Sequence, residues 1–197
     1  MVGIPRILLV DYGEVVSRPQ PPETIAAMAR LAGLEPERFR ERYWEHRRRY
    51  DLGASAREYW SAVLGTEAGD AHQLDELVRL DTTGWSHLNV DTLAVLRSAH
   101  RPGVTISLLS NAPHELAVVV RANPALQMFD RMRFSAELGV VKPDPEAFRA
   151  ALDGFDVNPG DVLFIDDRPE NVLGAIEAGL RAVQFSSPDR LRSELLG

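Results

Sequence analysis

The sequence predicts an α/β protein: a doubly wound, parallel, five-stranded Rossmann-like sheet with an inserted helical cap. Three observations carry this. Short apolar runs, Ile7-Leu8-Leu9-Val10, Ile106-Ser107-Leu108-Leu109 and Val162-Leu163-Phe164-Ile165, are separated by helical patterns and read as buried parallel strands. Each run ends on reactive polar groups: Asp11, Ser110-Asn111 and Asp166-Asp167. Between the first run and the second, residues 22–86 show helical periodicity with no strand-like run.

The elements follow in order. Residues 6–10 form the first strand, and Pro19, Pro21 and Pro22 break the chain into a linker. Helices are expected over 23–32, 36–51, 55–64 and 70–81, and Gly84-Trp85 marks the return to the core. This divides the chain into an α/β core, residues 1–18 and 87–197, and a helical cap, residues 19–86. A helix over 90–100 leads through Pro102-Gly103 into a second strand, 104–109. Pro113 opens a helix reaching about 121, since proline suits a first helical turn. Residues 131–135 give a weaker third strand, and a helix follows at 146–153. Asn158-Pro159-Gly160 turns into the fourth strand, 161–165. A helix over 169–178 ends at Gly179, a C-cap, before a fifth strand at 181–185 and a terminal helix at 188–195. Alternating strands and helices imply parallel, right-handed connections.

In an open α/β sheet, ligands bind beyond the carboxyl ends of the strands. Asp11, Asp166, Asp167 and the Ser110-Asn111 pair therefore meet at one edge. Two carboxylates about 4 Å apart repel by roughly 4 kcal/mol at an effective dielectric near 20, so a divalent cation is expected among them. Lys142 adds to this. Of the 22 basic residues, it is the only lysine. A compact ammonium among carboxylates and phosphate oxygens is a different object from a planar guanidinium.

Asp11-Tyr12-Gly13-Glu14-Val15-Val16, Leu109-Ser110-Asn111, Val141-Lys142-Pro143 and Ile165-Asp166-Asp167-Arg168-Pro169-Glu170-Asn171 occur in that order. Together they resemble the four motifs of the haloacid dehalogenase-like hydrolase superfamily, in particular its small phosphatases with a helical cap after the first strand. The resemblance implies Asp11 as nucleophile, attacking phosphorus to form an aspartyl-phosphate. It implies Mg²⁺ bound by Asp11, the Gly13 backbone carbonyl and Asp167, with Asp166 and Asn171 acting through waters. It also implies phosphate oxygens held by Ser110 and the Asn111 N–H, at a helix N-terminus, and neutralised by Lys142. A helix-capping role is the plainer alternative for Ser110, Asn111 and Asp166.

The expected substrate is a small phosphorylated metabolite. Helix 36–51 carries Arg40, Arg42, Arg47, Arg48 and Arg49 among Phe39, Tyr43, Trp44 and Tyr50, and Arg47 is the candidate to touch the leaving group. A solvated charged face over an aromatic core is the commoner use of such a pattern. His46 and His114 read as structural or surface residues.

One departure stands out. Most phosphatases of the family carry a second aspartate two positions after the nucleophile, as acid and base. Here that position is Gly13. Three readings remain open: a Mg²⁺-dependent phosphatase favouring good leaving groups, a 2-haloacid dehalogenase, and a non-catalytic relative binding a phosphometabolite or a protein. An aspartate at position 13 would be tolerated only if Gly13 does not need positive φ.

Composition sets outer limits. At 197 residues and 45% hydrophobic, the chain can bury a sizeable core. A net charge of −7 argues against nucleic acid and anionic membranes. With no cysteine, disulfides, thiolate metal sites and cysteine nucleophiles are excluded. The first apolar run is too short for a signal peptide or membrane span, and a cytoplasmic location is the expectation.

Overall fold

The structure, a computed structural model, describes residues 5–197. Its centre is β1, Ile7–Val10, whose four residues are all buried. β1 pairs in parallel with β2, Thr105–Ser110, on one side and with β4, Val162–Asp166, on the other. β3, Arg131–Phe134, and β5, Arg181–Gln184, complete an all-parallel sheet in the order β3-β2-β1-β4-β5. The chain thus leaves β1 to build one half-sheet and returns to β1's other edge for the second. That reversal places the ligand-binding crevice at the carboxyl ends of β1, β2 and β4.

The period-two alternation of strands explains the two cores. Leu8 and Val10 face one side, packing with Ile106, Leu108, Leu163 and Ile165 beneath α5, Val90–Ala99, and α6, His114–Ala122. Ile7 and Leu9 face the other side with Leu109, Val162, Phe164 and Phe148. There the cover is α8, Pro145–Leu152, and α9, Pro169–Glu177. The last helix, α10, Pro188–Leu196, returns to the first side through Leu191.

Between β1 and α5 lie four helices: α1, Pro22–Ala32; α2, Pro36–Asp51; α3, Ala56–Leu64; and α4, Ala71–Gly84. They bury a separate apolar cluster of Met28, Phe39, Tyr43, Tyr50, Tyr59, Trp60, Val63 and Leu77. Tyr50 and Tyr59 stack at 4.2 Å. Ser55 and Glu58 cap α3 reciprocally, satisfying two free backbone donors. The two segments linking this layer to the sheet meet in a single antiparallel bridge at Ser17 and Leu88, where Asn89 N–H donates to the Val16 carbonyl at 2.8 Å.

Local structure departs from the sequence pattern in three places. Tyr12–Val16 forms a wide turn directly after β1, closed by Ser17 N–H on the Tyr12 carbonyl at 2.8 Å. A short α7, Ser135–Leu138, follows β3 at once; four residues are too few to show helical periodicity. α4 runs on to Gly84, past the expected end at residue 81, because Leu77, Asp81 and Thr82 are all buried by packing that periodicity alone does not reveal. Among the described residues, no helix is long and apolar enough to cross a membrane.

Candidate active site

Asp11 extends the β1 ladder by one residue, its N–H donating to the Ile165 carbonyl at 2.9 Å. This puts its carboxylate beside Ser110, the last residue of β2, and Asp166, the last of β4. Lys142 arrives from the loop between α7 and α8. Its Nζ lies 2.6 Å from Asp11 Oδ1 and 2.7 Å from Asp166 Oδ2, with the side chain 1% exposed. Asn111 fixes that loop from both sides. It accepts from the Lys142 N–H and donates to the Lys142 carbonyl, each at 2.9 Å. α9 presses on the same loop at Gly174, where a Cβ would come within 2.2 Å of the Pro143 carbonyl oxygen. A side chain there would displace the lysine.

Asp166 is wholly buried, and both its oxygens are engaged. Oδ1 accepts from Arg168 N–H at 2.9 Å and Asn171 Nδ2 at 3.0 Å, while Oδ2 accepts from Asn171 Nδ2 at 3.0 Å as well as from Lys142. Asn171 therefore holds Asp166 directly. Asp167 is only half-buried. Carboxylate oxygens of Asp11, Asp166 and Asp167 lie within 4.8 Å of one another.

The electrostatics show what this cluster lacks. Burial pushes Asp11 up to about 7; Lys142 opposes the shift, and Asp166 and Asp167 add to it. Burial likewise raises Asp167 to about 6, helped by the charges of Asp166 and Glu14. Burial pulls Lys142 down, but Asp11 and Asp166 outweigh it and hold the ammonium above its ordinary value. Three carboxylates and one ammonium leave negative charge in excess on the side of Asp11 and Asp167. A hard divalent cation with oxygen ligands supplies what is missing, so the donor set fits Mg²⁺.

Gly13 has φ −62° and ψ 129°, ordinary L-residue territory. The left-handed residue of the turn is its neighbour Glu14, with φ 57°. Gly13 is therefore not required by backbone strain. A Cβ added to it would sit 3.9 Å from Asp11 Oδ2 and 3.8 Å from the Trp85 ring, in ordinary contact with both.

The cluster opens into a cavity of about 450 Å³. Its floor includes Asp11, Gly13, Glu14, Ser110, Asn111, Lys142, Asp167 and Asn171, and its far wall is α2. Trp44, Arg47, Arg48 and Asp51 line that wall at positions i, i+3, i+4 and i+7, one face of the helix. Arg47 is buried and committed inside the protein. Its Nε donates to Asp51 Oδ1 at 2.9 Å, and its Nη1 reaches Asp81 Oδ2 at 3.2 Å and the Tyr43 hydroxyl. Tyr43 donates to Asp81 Oδ1 at 2.6 Å and accepts from Trp85 Nε1 at 3.1 Å, while Gln20 Nε2 donates to Asp81 Oδ1 at 2.9 Å.

Every site residue expected from sequence thus lies at this cavity, apart from Asp166, which stands just behind it. The sequence reading did not single out Asp51, Trp85, Leu116 or Arg168 as lining residues. The spacing of Trp44, Arg47 and Arg48 on α2 was a readable signal for Asp51, one turn further on.

Among known proteins, the model of the haloacid dehalogenase-like hydrolases matches residues 10–179. This chain belongs to that family. A Mycobacterium tuberculosis protein named a phosphatase is 34% identical over 137 residues, covering 66% of this chain and 58% of its own length. An (S)-2-haloacid dehalogenase of a Pseudomonas species is 32% identical over 98 residues, covering 49% of this chain and 42% of its own length. The chain thus spans roughly half the length of these curated relatives. In fold, it resembles a haloacid dehalogenase family enzyme from Bacteroides thetaiotaomicron crystallised with magnesium and inorganic phosphate. The TM-score is 0.71 at 20% identity, covering 93% of this chain and 95% of that one.

Proposed function

We propose that this chain is a Mg²⁺-dependent phosphatase acting on a small phosphorylated metabolite through an aspartyl-phosphate at Asp11. The carrying observation is the excess of carboxylate charge around Asp11 and Asp167 at the mouth of a closed Lys142–Asp166 pair. Relatives named as phosphatases, and a fold neighbour holding magnesium and phosphate, support the same reading.

The chain's own residues divide the work as follows. Asp11 Oδ1 is held by Lys142, which leaves Oδ2 on the Gly13 side of the cavity as the attacking oxygen. Attack forms the Oδ2–P bond and breaks the bond from phosphorus to the leaving oxygen. Water then attacks the aspartyl-phosphate, releasing phosphate and regenerating the carboxylate. Ser110 and the Asn111 N–H hold phosphate oxygens, and Lys142 offsets charge on both Asp11 and the transferred group. Phosphoryl transfer depends chiefly on such positioning and charge stabilisation. Asp11, Asp167 and the Gly13 carbonyl would hold Mg²⁺, which would supply charge neutralisation at the transferred phosphoryl group. Asp166 and Asn171 brace Lys142 and the following loop. Residues 19–86 act as the cap that contributes the cavity's far wall.

Phosphate release from a panel of small phosphate esters and acyl phosphates tests this. Activity should vanish in EDTA and return with Mg²⁺. A second reading, 2-haloacid dehalogenation, draws on the dehalogenase relative and on Gly13, since attack at carbon needs no acid to protonate a leaving halide. Halide release from a 2-haloacid in EDTA would establish it. If no ester turns over although the chain is folded and binds Mg²⁺, the non-catalytic reading holds.

A further inference from the structure

The charges lining the cavity can be sorted by whether a counter-ion is already present. Lys142 is committed to Asp11 and Asp166, and Arg47 to Asp51 and Asp81. Two guanidiniums remain on the wall, Arg48 from α2 and Arg168 at the start of α9. Arg168 lies 3.6 Å from Glu170, an exposed pair. Among the described residues, Arg48 has no carboxylate at ion-pair distance. One helical turn before it, Trp44 is 50% exposed on the same wall, with its ring set edge-on to Trp85 at 6.4 Å. Apolar indole surface and an uncompensated cation therefore stand side by side.

Their position relative to the nucleophile matters. The Trp85 ring borders the space beside Asp11 into which a side chain at position 13 would project, 3.8 Å from that Cβ. Where a proton donor could have stood, the neighbouring surface is aromatic. A leaving group packed there gets no acid from position 13, so it must carry developing charge on its own oxygen. Conjugated leaving groups do that, and their flat faces suit an indole wall.

Building on the phosphatase reading, we propose that Trp44, Trp85 and Arg48 form the leaving-group subsite. This subsite selects phosphate esters whose leaving group is a planar, conjugated body bearing a carboxylate. A guanidinium recognises a carboxylate through two parallel charge-assisted hydrogen bonds.

The test compares phenyl phosphate with 4-carboxyphenyl phosphate, using the full chain with Mg²⁺. The natural protein should favour the carboxylated ester by at least tenfold in kcat/KM. Arg48→Ala should bring that ratio close to one, mainly through KM, and Arg48→Lys should retain part of it. Trp44→Ala should raise KM for both aryl esters relative to acetyl phosphate. A second measurement needs no turnover: 4-hydroxybenzoate should quench indole fluorescence saturably in the natural protein, with a smaller amplitude in Trp44→Phe, where Trp85 is the remaining indole of the subsite, and with at least tenfold weaker affinity in Arg48→Ala. Equal discrimination by the natural protein and Arg48→Ala, with phosphate released by both, overturns the subsite and leaves the phosphatase reading standing. Absence of Mg²⁺-dependent release from the aryl esters and from acetyl phosphate alike overturns both.

Discussion

At the sheet edge, Lys142 lies between Asp11 and Asp166; in the helical layer, Arg47 lies between Asp51 and Asp81. Both cations are buried, and both border the same cavity. They differ in how their charges close. Around Arg47, the Tyr43 hydroxyl, Gln20 and Trp85 Nε1 complete a hydrogen-bonded network. Burial raises Asp51, but Arg47 opposes it at contact distance. Around Lys142, a third carboxylate, Asp167, stands within reach and half-buried, with no cation at ion-pair distance among the described residues. A buried cation between two aspartates is therefore a structural device in one place and a candidate catalytic centre in the other. The distinguishing feature is carboxylate charge left over at a surface that solvent can enter.

The sharpest way to break this comparison is Asp11→Asn. The change keeps size and hydrogen bonding to Lys142 but removes the nucleophile. Phosphate release should fall below detection while the thermal unfolding midpoint stays close to that of the natural protein. A variant retaining substantial turnover would sink the covalent mechanism. Gly13→Asp comes next. The backbone at position 13 accepts an L side chain, and the new carboxyl would project toward Asp11 Oδ2. Positioned general acid catalysis is worth about 10²–10⁴ in rate, so alkyl phosphates should gain up to roughly 10²-fold and aryl phosphates much less. An equal gain across esters of graded leaving-group pKa would mean the new carboxyl is not acting as an acid.

Exchanging the two cations separates their roles. Lys142→Arg keeps charge but forces a fork into the fully buried space between Asp11 and Asp166, so turnover should drop at least tenfold, about 1.4 kcal/mol of transition-state stabilisation. Arg47→Lys loses part of the fork that spans Asp51 and Asp81. It should cost about 1.5–3 kcal/mol of stability, the worth of a hydrogen bond to a charged group, and leave kcat within a few-fold. Kinetics and calorimetry on both variants check the contrast. If Arg47→Lys also lowers kcat tenfold, its cluster is not merely structural.

The sheet-edge cluster was legible in the sequence because strand ends announce themselves. Each apolar run stops at a polar residue, so Asp11, Ser110 and Asp166 line up once the strands are parallel and adjacent. The lone lysine added a compositional signal. The network around Arg47 was not legible, because α2 shows only its own periodicity. The Arg47 partner Asp81 lies 34 residues away on another helix, and no local pattern encodes that pairing. The same limit hid the clamp of Asn111 on Lys142, 31 residues apart. It also hid which residue of the turn after β1 is left-handed. Glycine is the usual occupant of positive φ, yet here Glu14 holds it and Gly13 does not.

The smallest expected effect probes the leftover charge itself, through Asp167→Asn. Asp167 is raised from 3.8 to about 6 in the folded chain by burial and by the charges of Asp166 and Glu14. Without metal, the folded state therefore binds this proton more tightly than the unfolded state does. Stability falls as pH rises through the window from about 4 to about 6, and above it the ionised carboxylate is a fixed cost. Asparagine removes that cost. Because the side chain is partly solvated, the gain at pH 7.5 in EDTA is of the order of 1 kcal/mol after screening. For a chain of this size, that means a rise of about 2–4 °C in Tm. Near pH 4, where the natural carboxyl is itself largely protonated, the advantage should shrink toward zero. Saturating Mg²⁺ should reverse the order, since ligand binding stabilises only the chain that can hold it. A lower Tm for Asp167→Asn in EDTA at pH 7.5 would mean that Asp167 is already compensated within the protein. The Lys142 cluster would then be as closed as the one around Arg47.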